Sequence, residues 1–440
     1  MKVSIHSVLI VYTICMYYIS FHIFDLHISC ALLISLYFLL ALILYTEFYE
    51  GVSSYLGPTH KDVAVVLKCM AQVHHDKSQY DDAARLYYKS LTTTKAALGE
   101  FHPEVASTLN KIGNMYYENS DFDKAIKVYE EGLAVERAVL QSDHQNIVVT
   151  LTNIAQSYKH CGNHAVALER YTEAYNLQSK VLGPTHINVA VTLSNIAQVC
   201  CRLGLYTKAF DTYQVVLQIR REAHGDNHVD VAATLNSIGL VLFRQGYHKL
   251  AIESFTESLR VRKAFLGDQH RDVAVVLYNL GTTYLEQGDE EKAMSYYAET
   301  LRVERSTLGN DHHDLVVTLS HIGQVFCQRG ELSVALEYFD EVLRIERLHN
   351  GNNSPIVARL LNKIGNIYLQ KADVENMMEC FIEATRIFEA SLQECSSSES
   401  TACVTDTDQN MVENAFGELK ITGYNFYSLS ILHPEGAAAA

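Results

Sequence analysis

Seven histidines recur at one fixed interval along the chain: His60, His102, His144, His186, His228, His270 and His312. Imidazole is the commonest metal ligand and a ready proton carrier, so such a row invites a metal or acid–base reading. The interval argues against metal. Packed helices lie about 8–10 Å apart, whereas zinc sits about 2 Å from each ligand. One histidine per structural unit would have to converge sharply to share an ion. Each of the seven falls just before a helical pattern begins, several of them ahead of an acidic residue (Asp62, Glu104, Asp230, Asp272, Asp314). A helix-start contact or a hydrogen bond between neighbouring units is the expectation. Adjacent histidines such as His74-His75 and His312-His313 point apart on a helix.

Other chemistry finds no residues to use. No nucleophile motif or dinucleotide fingerprint occurs, and the glycines form no G-x-x-x-x-G-K-[ST] run. Clustered carboxylates such as Asp289-Glu290-Glu291 open helices, where the helix dipole favours them. The ten cysteines make no C-x-x-C pair, so free thiols in a reducing compartment are expected, and no metal or cofactor. A formal charge of −16 excludes a nucleic-acid partner, which needs a basic stripe. Neither an enzyme nor a small-molecule substrate is expected.

The elements that carry these residues repeat with the same period. Units begin at Leu56, Leu98, Leu140, Leu182, His224, Leu266, Leu308 and Asn350, without insertion or deletion, over residues 56–391. A fixed period of this size marks a solenoid in which each unit touches chiefly its neighbours. In the unit 266–307, Val273, Leu277, Leu280, Gly281 and Tyr284 recur at helical spacing. Gln287-Gly288-Asp289 interrupts, and Ala293, Tyr297, Leu301 and Val303 resume. A small residue holds the Gly281 place in every unit, and a second holds the Ala293 place in all but the last, where Met377 stands. An aromatic follows four residues later, from Tyr87 to Phe381. Two helices, A and B, are expected to approach closely at the small residues; in the first unit they cover about 61–76 and 80–96.

Leu277, Leu280, Gly281, Tyr284, Ala293 and Tyr297 resemble the tetratricopeptide signature W-x2-L-G-x2-Y, then A-x3-F. Leu stands for Trp throughout, and the terminal Pro is absent. The 42-residue unit is longer than the usual one of about 34. It is similar to the kinesin light chain subtype, whose pattern LG-x-x-H-P-x-V-A-x-T-L-N-N-L-A-x-L-Y matches LGEFHPEVASTLNKIGNMY at 98–116. The resemblance implies an all-α, right-handed superhelical solenoid of eight helix-turn-helix units (56–97, 98–139, 140–181, 182–223, 224–265, 266–307, 308–349, 350–391).

Outside the repeats the chain changes character. Residues 1–50 are apolar, and 28–46 run 19 residues without a charge, roughly 28 Å as a helix and about one hydrocarbon core. A membrane anchor of one span, or two with the run 3–24, is expected there, holding cytoplasmic repeats at a membrane. A start of translation placed too far upstream is the competing reading. Residues 392–440 read as a polar linker with a capping helix near 409–420.

The function expected from this architecture rests on two positions four apart on helix A, hence on one face. They are mostly uncharged and polar: Asn110 with Asn114, Thr152 with Gln156, Ser194 with Gln198, Tyr278 with Thr282, Ser320 with Gln324, Asn362 with Asn366. Lys68 and Gln72 open the series, and Asn236 is followed by Leu240. The resemblance implies that helix A lines a concave groove, so these residues form a candidate ladder for a peptide or protein partner; ordinary solvated surface is the plain alternative. The expected function is a non-catalytic scaffold. A narrower expectation is a cargo adaptor of the kinesin light chain kind, and a third is a regulatory repeat protein attached to an enzyme.

Overall fold

The computed structural model describes residues 30–397, with side-chain surroundings for 37–391. Among the described residues there are seventeen helices and no strand. The chain divides into two compact units, Met1–Ala223 and His224–Ala440. The first contains α1 (Cys30–Leu56) and then A–B hairpins: α2 (Lys61–Asp76) with α3 (Tyr80–Leu98), α4 (Pro103–Glu118) with α5 (Phe122–Val139), α6 (Gln145–His160) with α7 (His164–Leu182), and α8 (Ile187–Arg202) with α9 (Tyr206–His224). The second contains α10 (Val229–Arg244) with α11 (His248–Leu266), α12 (Arg271–Glu286) with α13 (Glu290–Leu308), α14 (Leu315–Gln328) with α15 (Leu332–Asn350), and α16 (Pro355–Gln370) with α17 (Val374–Ser397). The B helices begin at the interval of the sequence repeat, from Tyr80 to Val374.

Local chemistry sets both turns of each hairpin. Between A and B one residue is left-handed, at φ 74–81° where it is Gly162, Gly204, Gly246, Gly288 or Gly330. Ser78, Ser120 and Ala372 take the same place at φ 57–60°, a conformation that disfavours a side chain. After helix B a glycine such as Gly99 (φ 89°, ψ 165°) or Gly309 (φ 85°, ψ 172°) occupies a region essentially closed to other residues.

Small residues bring the two helices of a hairpin together. A Cβ built on Gly113 would meet ring atoms of Tyr129 at 2.4–2.8 Å, and one on Gly281 would meet Tyr297 at 2.8 Å. Each aromatic is therefore seated where the facing helix has no side chain. In the first unit the core then continues from Tyr87 and Leu91 to Val105, Leu109 and Ile112 of the next A helix. In the second it runs from Ala293 and Tyr297 to Leu315, Leu319 and Ile322. Within each unit the B helices α3, α5 and α7, and α11, α13 and α15, pack on their own A helix and on the following one.

The expected membrane span at 28–46 is not what the fold makes of that run. Ala41 and Tyr45 are buried against Val66 and Val73 of α2. Counted one repeat back from Ala83 and Tyr87, they are the small residue and the aromatic of a B helix. From Phe38 onward α1 is thus the B helix of a further, incomplete unit, and it extends eight residues N-terminal of the point where the other B helices begin. Among the described residues no helix is long and apolar enough to cross a membrane. The run 3–24 and the expected capping helix at 409–420 lie outside the described residues. Helix α17 continues to Ser397, so the start of the expected linker is helical.

Candidate functional site

The polar face of helix A is largely knitted into the fold. In the first unit, Asn110 Nδ2 donates to Glu136 Oε1 at 2.9 Å and to Thr150 Oγ1 at 2.8 Å. Asn114 Oδ1 accepts the Tyr129 hydroxyl at 2.6 Å, and Gln72 Oε1 accepts that of Tyr87 at 2.9 Å. These hydroxyls belong to the aromatics seated on the small residues, so in these two hairpins the second position of the ladder satisfies the phenol, whereas in the Gln156 hairpin the buried Tyr171 hydroxyl is unpaired. Asn153 adds a longer bond to Asn114 at 3.4 Å. Thr152 and Ser194 donate back along their own helices, to Val148 and Ala190 carbonyls. Gln198 is exposed and accepts Lys159 Nζ at 2.9 Å. Gln156, half-buried, has no hydrogen-bonding partner among the described residues. Lys68 pairs with Glu104 at 2.9 Å.

The second unit repeats the pattern with gaps. Buried Asn236 accepts from Asn279 Nδ2 at 2.9 Å. Thr282 accepts the Tyr297 hydroxyl at 3.1 Å, and the Tyr278 hydroxyl lies 3.3 Å from His321 Nε2. Where the seated aromatic is phenylalanine there is no phenol to satisfy. Leu240 is then exposed opposite Phe255, and Asn366 is exposed opposite Phe381. Ser320, Gln324 and Asn366 have no hydrogen-bonding partner among the described residues. Asn362 is buried with its Oδ1 unpaired.

Each of the seven repeated histidines does one job. Nδ1 of His60, His102, His144, His186, His228, His270 and His312 accepts the backbone N–H two residues on, at 3.1–3.2 Å. Ser354 Oγ does the same for α16 at 3.3 Å. His224, His228 and Asp230 bring three donor atoms within 4.8 Å of one another, with the two imidazoles stacked at 4.3 Å. A neutral imidazole has one nitrogen lone pair. That of His228 holds the start of α10, so it cannot bind an ion without giving up the cap.

Burial perturbs two lysines on A helices and two carboxyls on B helices. Burial, with Arg202 nearby, pushes the Lys159 amine down. Burial likewise pushes Lys363 down, and its Nζ sits 4.5 Å over the Phe339 ring. Burial raises the Glu136 carboxyl against the bonds from Thr150 and Asn110 that favour its ionised form. Glu304 is pushed up to about 7, chiefly by burial and further by Asp314, although Thr318 bonds to it.

Two features of the units escaped the sequence reading. A buried polar residue on helix B meets a threonine on the next helix A, as in Glu136–Thr150 and in Gln178–Thr192 at 2.7 Å. Ion pairs also join successive B helices at one constant separation in sequence: Lys95–Glu131 and Arg137–Glu173 in the first unit, Lys263–Glu299, Arg305–Glu341 and Arg347–Glu383 in the second. Aligning the repeats column by column gives both signals.

Comparison with known proteins follows the same boundaries. A tetratricopeptide repeat family model matches residues 62–138, 146–222, 188–264, 230–306 and 272–348, and a second matches 358–391. No curated protein matches the chain. Among solved structures, BtubC (BKLC) from P. vanneervenii is 19% identical with a TM-score of 0.44, over 54% of this chain and 92% of that one. The nearly identical TPR-like repeats of a putative kinesin light chain from Podosopora anserina are 17% identical with a TM-score of 0.43, over 47% and 98%. The apo form of RapI is 15% identical with a TM-score of 0.49, over 64% and 97%. The family models cover well over half of the sequence, and the chain belongs to the tetratricopeptide repeat family.

Proposed function

We propose that the chain is a non-catalytic scaffold that grips a peptide or a segment of a partner protein along the A helices. The observation that carries this reading is the set of amides and hydroxyls without a partner among the described residues, Gln156, Ser320, Gln324 and Asn366, joined by exposed Gln198, whose oxygen takes Lys159 while its amide nitrogen makes no bond among the described residues. An amide offers both donors and an acceptor, so such residues can hold an extended main chain whatever its side chains are. Each bond is worth about 0.5–1.5 kcal/mol, so affinity has to come from several hairpins together.

The test uses a peptide selected from a random display library on the full chain. Gln156→Ala with Gln198→Ala should weaken that peptide severalfold at an unchanged melting temperature. Equal affinity for parent and double variant would show that this face is only solvated surface. A cargo-adaptor role of the kinesin light chain kind would employ the same face, and it rests on the pattern at 98–116.

A membrane tether, in this reading, moves along the chain. Residues 38–46 lie against α2, whose Lys68 and Asp76 cannot enter hydrocarbon cheaply. The uncharged stretch left before residue 38, Leu26–Tyr37, spans about 18 Å as a helix, too short for a core of about 30 Å. The tether therefore falls to the run 3–24. Deleting residues 2–25 should release the protein on carbonate extraction; retention of the deleted form in the pellet would refute the tether at 3–24.

A further inference from the structure

Helix α1 differs from the B helices after it on the side that faces away from the core. Leu39 and Ile43 are 54% and 47% exposed, flanked by Leu40 and Leu44 at 49% and 48%. In the eight later B helices the positions of Leu39 and Ile43 are all exposed as well. Those sixteen places hold only Asp, Glu, Lys, Arg, Ser and Thr, apart from Ala165. At these two positions the outer side of a B helix is thus ordinarily a solvated surface, and among the described B helices α1 alone makes both aliphatic, whereas the Leu40 position also holds an exposed leucine at Leu250. Burying Ala41 and Tyr45 on α2 does not require this, because Leu39 and Ile43 point elsewhere.

We propose that this side of α1 is a self-association surface, covered by α1 of a second copy of the chain. The four side chains form two adjacent i,i+4 ridges, Leu39–Ile43 and Leu40–Leu44, with a groove between them. Ridges of this kind interdigitate with an identical pair on another, crossing helix, which is the commonest class of helix packing. A patch that fits itself generates a closed two-fold dimer. The charges agree with a crossed or antiparallel pairing. Glu47 and Glu50 lie at one end of the ridges, so a two-fold axis near Leu40 and Ile43 sets the two acidic ends apart. Helix α1 carries no Lys, Arg or His, whereas a helix lying on an anionic membrane needs cations along its polar side. The contact is small, so the association is weak and concentration-dependent.

Sedimentation equilibrium of the full chain between about 1 and 100 µM tests this. The parent should pass from monomer to dimer over that range. Leu39→Lys with Ile43→Lys should weaken association more than about a hundredfold at an unchanged helical circular dichroism signal. Leu39→Glu with Ile43→Glu should do the same. Mixing the Lys and Glu variants should restore the dimer, because residue 39 of one copy faces residue 43 of the other. A parent that stays monomeric overturns the proposal, as does a dimer indifferent to both variants. A chain that dimerises only after deletion of residues 2–25 shows instead that its own N-terminus covers the surface. Binding of the chain lacking residues 2–25 to phosphatidylcholine vesicles that is lost on Leu39→Lys with Ile43→Lys and on Leu39→Glu with Ile43→Glu assigns the surface to lipid.

Discussion

At the residue scale, hydrogen-bond bookkeeping decides which side chains are free to act. Asn110 looks like surface, yet it is a donor to the buried Glu136 carboxyl. Asn110→Ala should therefore cost about 1–3 kcal/mol of stability, whereas Gln198→Ala should be close to neutral; urea denaturation of the two variants separates them. The carboxyl of Glu304 makes a second case. Its folded value is raised to about 7, first by burial, with one oxygen left unpaired. A raised carboxyl favours the protonated, folded chain below the ordinary glutamate range and loses that advantage as pH climbs through 7. Glu304→Gln should thus gain stability relative to the parent between pH 5 and pH 8, by about 1–2 kcal/mol after allowance for solvent screening. A gap between the two melting curves that does not widen with pH would contradict this placement of the carboxyl.

At the scale of the hairpin, the fixed period of the repeat carries most of what sequence can tell. Seating an aromatic on a glycine depends on side-chain size at two fixed positions, and the left-handed turn depends on one residue's φ. Both are local, so repetition exposes them. Gly113→Ala puts a methyl group 2.4–2.8 Å from the Tyr129 ring and should lower stability by about 1–3 kcal/mol. Ser120→Gly relieves a left-handed serine and should raise it by about 0.5–1 kcal/mol. Thermal unfolding of both variants checks the two signs. What repetition could not show is the destination of each hydrogen bond. The amide of Asn110 is tied to a glutamate 26 residues away in sequence, and a row of polar letters reads alike whether it faces a ligand or a neighbour. The start of α1 was hidden for a different reason. Within a uniformly apolar run, Ala41 and Tyr45 do not stand out from leucines that face solvent, and hydropathy alone then suggests lipid.

At the scale of the molecule, stability in a repeat protein is close to a sum over units and the contacts between neighbours. Helix α1 supplies one such contact. Deleting residues 2–56 would uncover Val66 and Val73 of α2, at a cost of about 2–4 kcal/mol confined to the first hairpin. Hydrogen exchange should then speed up in α2 and α3, and amides of α12 and α13 should keep their rates; uniform acceleration would mean that the chain unfolds as one block. The histidine caps make the order of such events readable. Because Nδ1 of each cap accepts a backbone N–H, the proton of each neutral ring is held on Nε2, and seven hairpins in turn carry an imidazole locked in one tautomer. Nitrogen-15 spectra of the rings distinguish tautomers, and a ring released from its helix start exchanges between them. The chain therefore contains seven built-in reporters at even spacing, able to show whether heat opens the repeats from an end, from the middle, or all at once.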